Sequence, residues 1–222
     1  MFSLVKKNSA FFIPYFIFLL AGGTILLLSN KTDIHLYINS YHCPAADFFF
    51  SNWTNLGLGL MIIPVALILA FIRFRYMIIS VLGFALSGLT NELLKKLFHS
   101  PRPLAVFGDM HQSFYHVPNV EMFSDYSFPS GHTDTGFCMF CLLALYTKNK
   151  TLKFLYFIIA FLIAYSRMYL SEHFLKDVYG GAIVGVCSAL LVYSWVMNAE
   201  MFNKFAERLD KPLIRLNVER EK

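Results

Sequence analysis

The sequence predicts an all-α, polytopic membrane bundle of six transmembrane helices, and three observations carry that expectation. Hydrophobic residues make up 57% of the 222-residue chain and charged residues only 15%, where a soluble domain carries about a quarter charged residues. The apolar residues collect in long runs that approach the roughly 17–25 residues a helix needs to cross a bilayer. Lysine and arginine gather at the chain ends and in the short loops between those runs, as the positive-inside rule distributes them.

The first span is read at residues 11–29, with Pro14 tolerated near its start. Lys6 and Lys7 ahead of it resemble the start of a signal peptide. The apolar run is too long for one, however, and no small-residue cleavage site follows, so it is read as a retained span. Residues 30–54 are less apolar but rich in aromatics, including Phe48, Phe49, Phe50 and Trp53. That composition suits an interfacial helix or a re-entrant segment at headgroup level. The second span covers 56–72 and stops at Arg73 and Arg75; the third, 76–94, hands Lys95 and Lys96 to the opposite face. The connection 98–129 carries Pro101, Pro103, Gly108, Pro118 and Pro129. It is long for a bundle, and long ordered loops are usually functional. The fourth span, 132–146, is short. A turn at 148–153 leads to the fifth, 154–170, and the sixth, 178–197, precedes a basic tail. The expected organisation is one membrane domain over residues 1–203 and a polar cytoplasmic tail over 204–222.

Six spans put both termini on one face. That face holds Lys6, Lys7, Arg73, Arg75, Lys148, Lys150, Lys153 and the tail cations Lys204, Arg208, Lys211, Arg215, Arg220 and Lys222, most of the 19 in the chain. The termini are therefore expected in the cytoplasm. The net charge of +5 comes with no interleaved basic and aromatic strip, which argues against a nucleic-acid partner. Cys138 and Cys141 form a C-x-x-C inside an apolar run, with no second pair, and read as helix packing. The spacing of His99, His111 and His116 fits no local ligand set, so no metal is expected. The Asn-x-Ser/Thr triplets at Asn30, Asn52 and Asn149 are short enough to arise by chance.

Three polar blocks interrupt the apolar pattern on the opposite face. They are Lys95-x6-Arg102-Pro103, then Pro129-Ser130-Gly131-His132, then Ser166-Arg167-x5-His173-x3-Asp177. An ionised residue such as Arg167 at the rim of an apolar helix costs roughly 2.5–3.5 kcal/mol on insertion scales, so it calls for a partner or a function. A helix start such as Gly131-His132 turns free backbone N–H groups toward an anion. On another helix start, His173 and Asp177 at i and i+4 share a face. A carboxylate there holds the imidazole in one tautomer and stabilises its cation. The other ring nitrogen is then a nucleophile toward phosphorus. His132 completes the chemistry as general acid for the leaving oxygen. Lys95, Arg102 and Arg167 neutralise phosphoryl oxygens, and Ser130 and the Gly131 N–H add hydrogen bonds. Asp134 reads either as a partner of a cradle cation or as cavity wall, and Glu92 as a helical partner of Lys95 or Lys96.

In order and spacing these blocks resemble the three-part signature of the type 2 phosphatidic acid phosphatase (PAP2) superfamily, in its bacterial membrane lipid phosphatase branch, over residues 95–177. The resemblance implies a PAP2/haloperoxidase-like helical core. It also implies a metal-independent acid phosphatase that hydrolyses a lipid phosphomonoester or diphosphate through a phosphohistidine. By position, His173 resembles the nucleophile, Asp177 its orienting partner and His132 the acid–base residue. Lys95, Arg102, Ser130, Gly131 and Arg167 resemble the phosphate cradle. No cofactor is implied; the partners are a lipid phosphate substrate and the surrounding membrane lipids. Candidate substrates are undecaprenyl diphosphate, phosphatidylglycerol phosphate, phosphatidic acid and lipid A phosphates, presented at the outer face of a bacterial inner membrane. Two other readings stay open: a lipid phosphotransferase using the same site, and an anion or lipid transporter. A transporter needs polar groups near the midplane, whereas these cations lie at one face.

Overall fold

The computed structural model describes residues 2–211, and every regular element among them is helical. The tail cations Arg215, Arg220 and Lys222 lie outside the described residues. A short helix α1 (Phe2–Lys7) leads into α2 (Ser9–Leu28). This helix fully buries only Phe11, Phe12, Tyr15 and Gly22 and exposes Ile17, Leu20, Leu27 and Leu28, a surface suited to lipid. Pro14 stands inside α2, as membrane helices tolerate when neighbours supply compensation.

The aromatic segment forms α3 (Lys31–Asn39) and α4 (Pro44–Trp53), followed by a 3₁₀ turn at Thr54–Gly57. Gly57 is needed for close approach. A Cβ there would lie 2.7 Å from Ile163 Cγ2 and 2.8 Å from the His132 carbonyl oxygen. This contact seats the segment against the later helices.

The second span is broken rather than continuous over 56–72. Leu58 is extended, with ψ 141°, and α5 (Ile62–Ile72) has only 11 residues. The halves Pro44–Gly57 and Gly59–Ile72 meet at a 60° bend. Glycines on both sides of Leu58, with Pro64 in the first turn of α5, favour the break. Among the described residues four helices are long and apolar enough to cross a membrane, or five if the bent pair is one span. The six apolar segments thus keep their expected order, but their lengths do not give six full spans.

After an extended Arg73, α6 (Phe74–Phe98) runs to His99, which takes a left-handed φ of 40° and donates its N–H to the Lys95 carbonyl at 3.0 Å. This end, with Pro101 just beyond it, stops the helix sharply. Lys95 and Lys96 in the last turn complement the helix dipole. The long connection contains a short α7 (Pro103–Asp109). Next, α8 (Gly131–Tyr146) buries 12 of its 16 residues, Thr133, Asp134 and Thr135 among them, which makes it the central helix. Asn149 caps α9 (Lys150–Tyr169) by accepting the Thr151 and Leu152 N–H groups at 2.8 and 3.1 Å. The last glycosylation-like triplet is thus a helix cap.

The long α10 (Leu175–Asn198) packs against α8 and α6. A Cβ on Gly185 would stand 2.3 Å from the Asp134 carbonyl oxygen, so the α8 and α10 backbones touch, as small residues allow in membrane bundles. Ile79, Phe137, Ile163, Val178 and Ala182 fill the core between these helices. Two short helices, α11 (Glu200–Lys204) and α12 (Ala206–Leu209), follow.

Polar contacts tie the chain ends to one end of the bundle. Lys153 Nζ donates to Asn8 Oδ1 at 2.5 Å, Arg75 Nε pairs with Asp210 at 3.0 Å, and the Phe74 N–H donates to the Lys211 carbonyl at 3.2 Å. The C-terminal ends of α6 and α9 and the N-terminal ends of α8 and α10 therefore lie together at the opposite end.

Candidate active site

Each of those four helix ends brings one piece of the three polar blocks. Lys95, in the last turn of α6, reaches the start of α8, where a Cβ on Gly131 would lie 3.8 Å from its Nζ. Ser130 is the N-cap residue of α8. Its hydroxyl accepts from Thr133 Oγ1 at 3.0 Å, and its N–H donates to the Asp177 carbonyl at 2.9 Å. That last bond fastens the first turn of α8 to the first turn of α10. The leading N–H groups of α8 have no partner within their own helix and are left for an anion.

His173 sits on the turn between α9 and α10. Ser171 adopts a left-handed φ of 58°, and the Arg167 carbonyl accepts the N–H groups of Glu172 and His173 at 3.0 and 3.1 Å. A non-glycine residue in that region is strained, and neighbouring elements hold it there. Asn39 Nδ2 donates to Ser171 Oγ at 3.1 Å and to the Tyr115 carbonyl at 2.9 Å, while Asn39 Oδ1 accepts the Tyr115 N–H at 2.8 Å. Asp47 accepts from the Tyr115 and Tyr169 hydroxyls, each at 2.6 Å. Helices α3 and α4 and the long connection are thus locked onto the turn that carries His173.

His173 and Asp177 share a face as expected, but their contact is indirect. His173 Nδ1 and Asp177 Oδ2 are 3.8 Å apart, beyond hydrogen-bond length. Ser127 stands between them. Its hydroxyl donates to Asp177 Oδ2 at 2.6 Å and lies 3.3 Å from His173 Nδ1. The single hydroxyl proton goes to the carboxylate, so the hydroxyl oxygen accepts from Nδ1–H, and the Nε2 lone pair stays free. Burial pushes His173 down to about 4, with the Asp177 carboxylate pulling the other way. Burial thus favours the neutral form of this imidazole. Asp177 Oδ2 also accepts the Phe174 N–H at 2.9 Å and so caps α10.

The two arginines meet on one carboxylate. Arg102 Nη1 bonds Glu172 Oε2, and Arg167 Nη2 lies 3.5 Å from the same oxygen. Arg102 is further held by the Asp125 carbonyl at 2.9 Å, and Arg167 by Thr54 Oγ1 at 2.8 Å. Arg167 is buried and paired, with no part of it snorkelling to a surface. Burial raises the Glu172 carboxyl, and the two guanidinium groups oppose that shift. His132 is half-buried and within electrostatic reach of Arg167, His173, Arg102 and Lys95. Ser87 Oγ of α6 donates to Asp134 Oδ1, so this carboxylate is held by a hydroxyl and not by a cradle cation. A cavity of about 270 Å³ lined by Glu92, Lys95, Lys96 and Tyr126 opens beside the cluster.

All eight residues expected at the site therefore lie at one end of the bundle. Three others at the site, Ser127, Glu172 and Thr54, were not foreseen. Glu172 falls among the unspecified positions of the third block, and Ser127 lies just ahead of the second. No His, Cys, Asp and Glu side chains converge as a metal-ligand set among the described residues. Fixed cations, free helix N–H groups, a neutral buried imidazole and a second histidine can bind a phosphoryl group and pass it through a nitrogen nucleophile.

Bundle and cluster together define an all-helical protein with apolar helices of membrane-crossing length and a cationic cluster at one end. Residues 76–201, more than half the chain, match the PAP2 superfamily, and the chain belongs to that family. It is 30% identical over 120 residues to the bacitracin transport permease protein BcrC of Bacillus licheniformis, covering 54% of this chain and 55% of that protein. The chain thus spans about half the length of that relative. It is 31% identical over 153 residues to phosphatidylglycerophosphatase B of Bacillus subtilis, covering 63% of this chain and 70% of that protein. The crystal structure of a transmembrane PAP2-type phosphatidylglycerolphosphate phosphatase from Bacillus subtilis superposes with a TM-score of 0.64 at 25% identity. That match covers 88% of this chain and 98% of the other.

Proposed function

We propose that this chain is a membrane lipid phosphatase that hydrolyses a phosphomonoester or diphosphate on a lipid headgroup through a phosphohistidine. The observation that carries this reading is the convergence of Lys95, Arg102 and Arg167 with a buried His173. His173 Nε2 attacks phosphorus, the bond from phosphorus to the lipid oxygen breaks, and His132 protonates that oxygen. The imidazolium so formed keeps Nδ1–H on Ser127, whose own proton rests on Asp177. Water, losing a proton to His132, then attacks the phosphohistidine, releases inorganic phosphate and restores both histidines. Lys95, Arg102, Arg167, Ser130 and the Gly131 N–H bind the phosphoryl oxygens throughout. In this scheme the three side-chain cations carry the charge that a divalent ion carries elsewhere.

An apolar groove of about 930 Å³ between α2, α3 and α9 supports a lipid substrate. Met168 and Leu175 line it and neighbour Arg167 and His173 in sequence. The headgroup would meet the cluster while the chain stays in the bilayer. Residues 1–203 would act as one domain, with 204–222 as a cytoplasmic tail and the site at the outer face of a bacterial inner membrane. The name of one relative, a transport permease, revives the transporter reading. The middle of α8, however, is packed with buried Phe137, Cys138, Met139 and Cys141, where a transporter needs polar groups.

The test is release of inorganic phosphate by the purified full chain in detergent. The panel comprises undecaprenyl diphosphate, phosphatidylglycerol phosphate, phosphatidic acid and lipid A phosphates. At least one should be hydrolysed, with inhibition by vanadate and full activity in EDTA. No release from any of them would overturn the phosphatase reading. Loss of activity in EDTA, restored by Mg²⁺, would overturn the metal-free mechanism alone. Appearance of the phosphoryl group on an added lipid alcohol would point to the phosphotransferase.

A further inference from the structure

Glu172 lies between the two cradle arginines yet has no part in the chemistry above. Its side chain is 2% exposed, and Oε2 alone serves both Arg102 and Arg167. Its other oxygen, Oε1, is buried without a hydrogen-bond partner, and so is Arg167 Nε. Buried polar atoms are almost always paired, so each of these unpaired atoms requires an explanation. A guanidinium that spends part of its fork on a carboxylate, with one N–H free, is matched to a tetrahedral anion. A phosphoryl group and the Glu172 carboxylate compete for the same donors, and two anions at such spacing repel.

We infer that Glu172 is the resting occupant of the phosphate cradle: a positioning residue that holds Arg102 and Arg167 in place between turnovers and gives way to the phosphoryl group. The inference rests on the phosphate-site reading above. Glu172 is well placed for this exchange. Its backbone is fixed by the Arg167 carbonyl and the Ser171 turn, so the side chain can leave by changing rotamer while His173 stays where it is. After hydrolysis the returning carboxylate competes with inorganic phosphate for both arginines and speeds its release. Without that competition, product would be held by the same donors that bind the transition state.

Isothermal titration of inorganic phosphate into the purified full chain in detergent tests this, alongside turnover of a lipid phosphate. Glu172→Gln keeps the shape and removes the charge. It should bind phosphate on the order of ten-fold more tightly than the native chain, with kcat and KM falling together as release slows. Glu172→Asp is one methylene too short to serve both arginines and should tighten phosphate by a smaller factor. It decides the matter if the glutamine variant does not fold. A carboxylate that merely braces the arginines would give weaker or unchanged phosphate binding in a folded variant, and that result overturns the inference. The readout is binding, so it is separable from the function itself. A chain that binds phosphate but hydrolyses no lipid phosphate removes the phosphatase reading and still decides the role of Glu172.

Discussion

The two site histidines occupy different environments, and the difference should separate their roles. His173 is 2% exposed and held through Ser127, whereas His132 is half-buried at the first turn of α8. Replacing His173 by Ala removes the proposed attacking nitrogen, so no phosphoenzyme should form from any substrate. Replacing His132 by Ala should lower hydrolysis of a lipid phosphate by on the order of 10²–10⁴-fold. The loss should shrink with an activated aryl phosphate, whose leaving oxygen needs little protonation. Rapid quench with labelled substrate reads the acid-labile intermediate directly. Accumulation of that intermediate in His173→Ala, with none in His132→Ala even from the aryl ester, would reverse the assignment. These residues were legible because their types and spacing already state a chemistry: imidazole, carboxylate, guanidinium, helix start. Ser127 was not, because a serine near a proline-rich loop states none. Its place between Nδ1 and Oδ2 arises only when the loop folds back on α10.

At the scale of elements, the site depends on how closely two helices approach. The bond from Ser130 N–H to the Asp177 carbonyl lies at the top of the α8–α10 contact, and Gly185 lies lower along it. Gly185→Ala would push a methyl into the Asp134 carbonyl and separate the helices. It should destabilise the chain by about 1–3 kcal/mol, as overpacking does, and lower the thermal midpoint in detergent together with activity. An unchanged midpoint would mean that the backbones do not touch as described. The sequence marked six apolar segments and the face that gathers the polar blocks. Hydropathy records how apolar a stretch is, but not whether its helix is continuous, and this is why the break at Leu58 escaped it. The two glycines there were visible, yet their effect depends on Gly57 packing against His132 and Ile163. The role of Glu172 escaped for a related reason: Arg102 and Arg167 come from separate blocks, and only the folded bundle brings them to one carboxylate.

For the whole molecule, the contacts of Lys153 with Asn8 and of Arg75 with Asp210 gather the basic turns and the chain ends at one end of the bundle. With the excess of cations there, reporter fusions after Arg75 and in the tail should report cytoplasm, and a fusion near Asp109 should report the outside. A cytoplasmic Asp109 would move the substrate pool to the inner leaflet and leave the chemistry as it is. The order of the blocks along the chain has a further consequence, for biosynthesis. Lys95, Arg102 and His132 leave the ribosome well before His173 and Asp177, which arrive only with α10. A nascent chain would therefore carry much of the proposed phosphate cradle before the proposed nucleophile, which waits until α10 is made and docked on α8. On the proposed mechanism, chains terminated before α10 would bind a phosphate headgroup without cleaving it, and hydrolysis would begin only once α10 has docked.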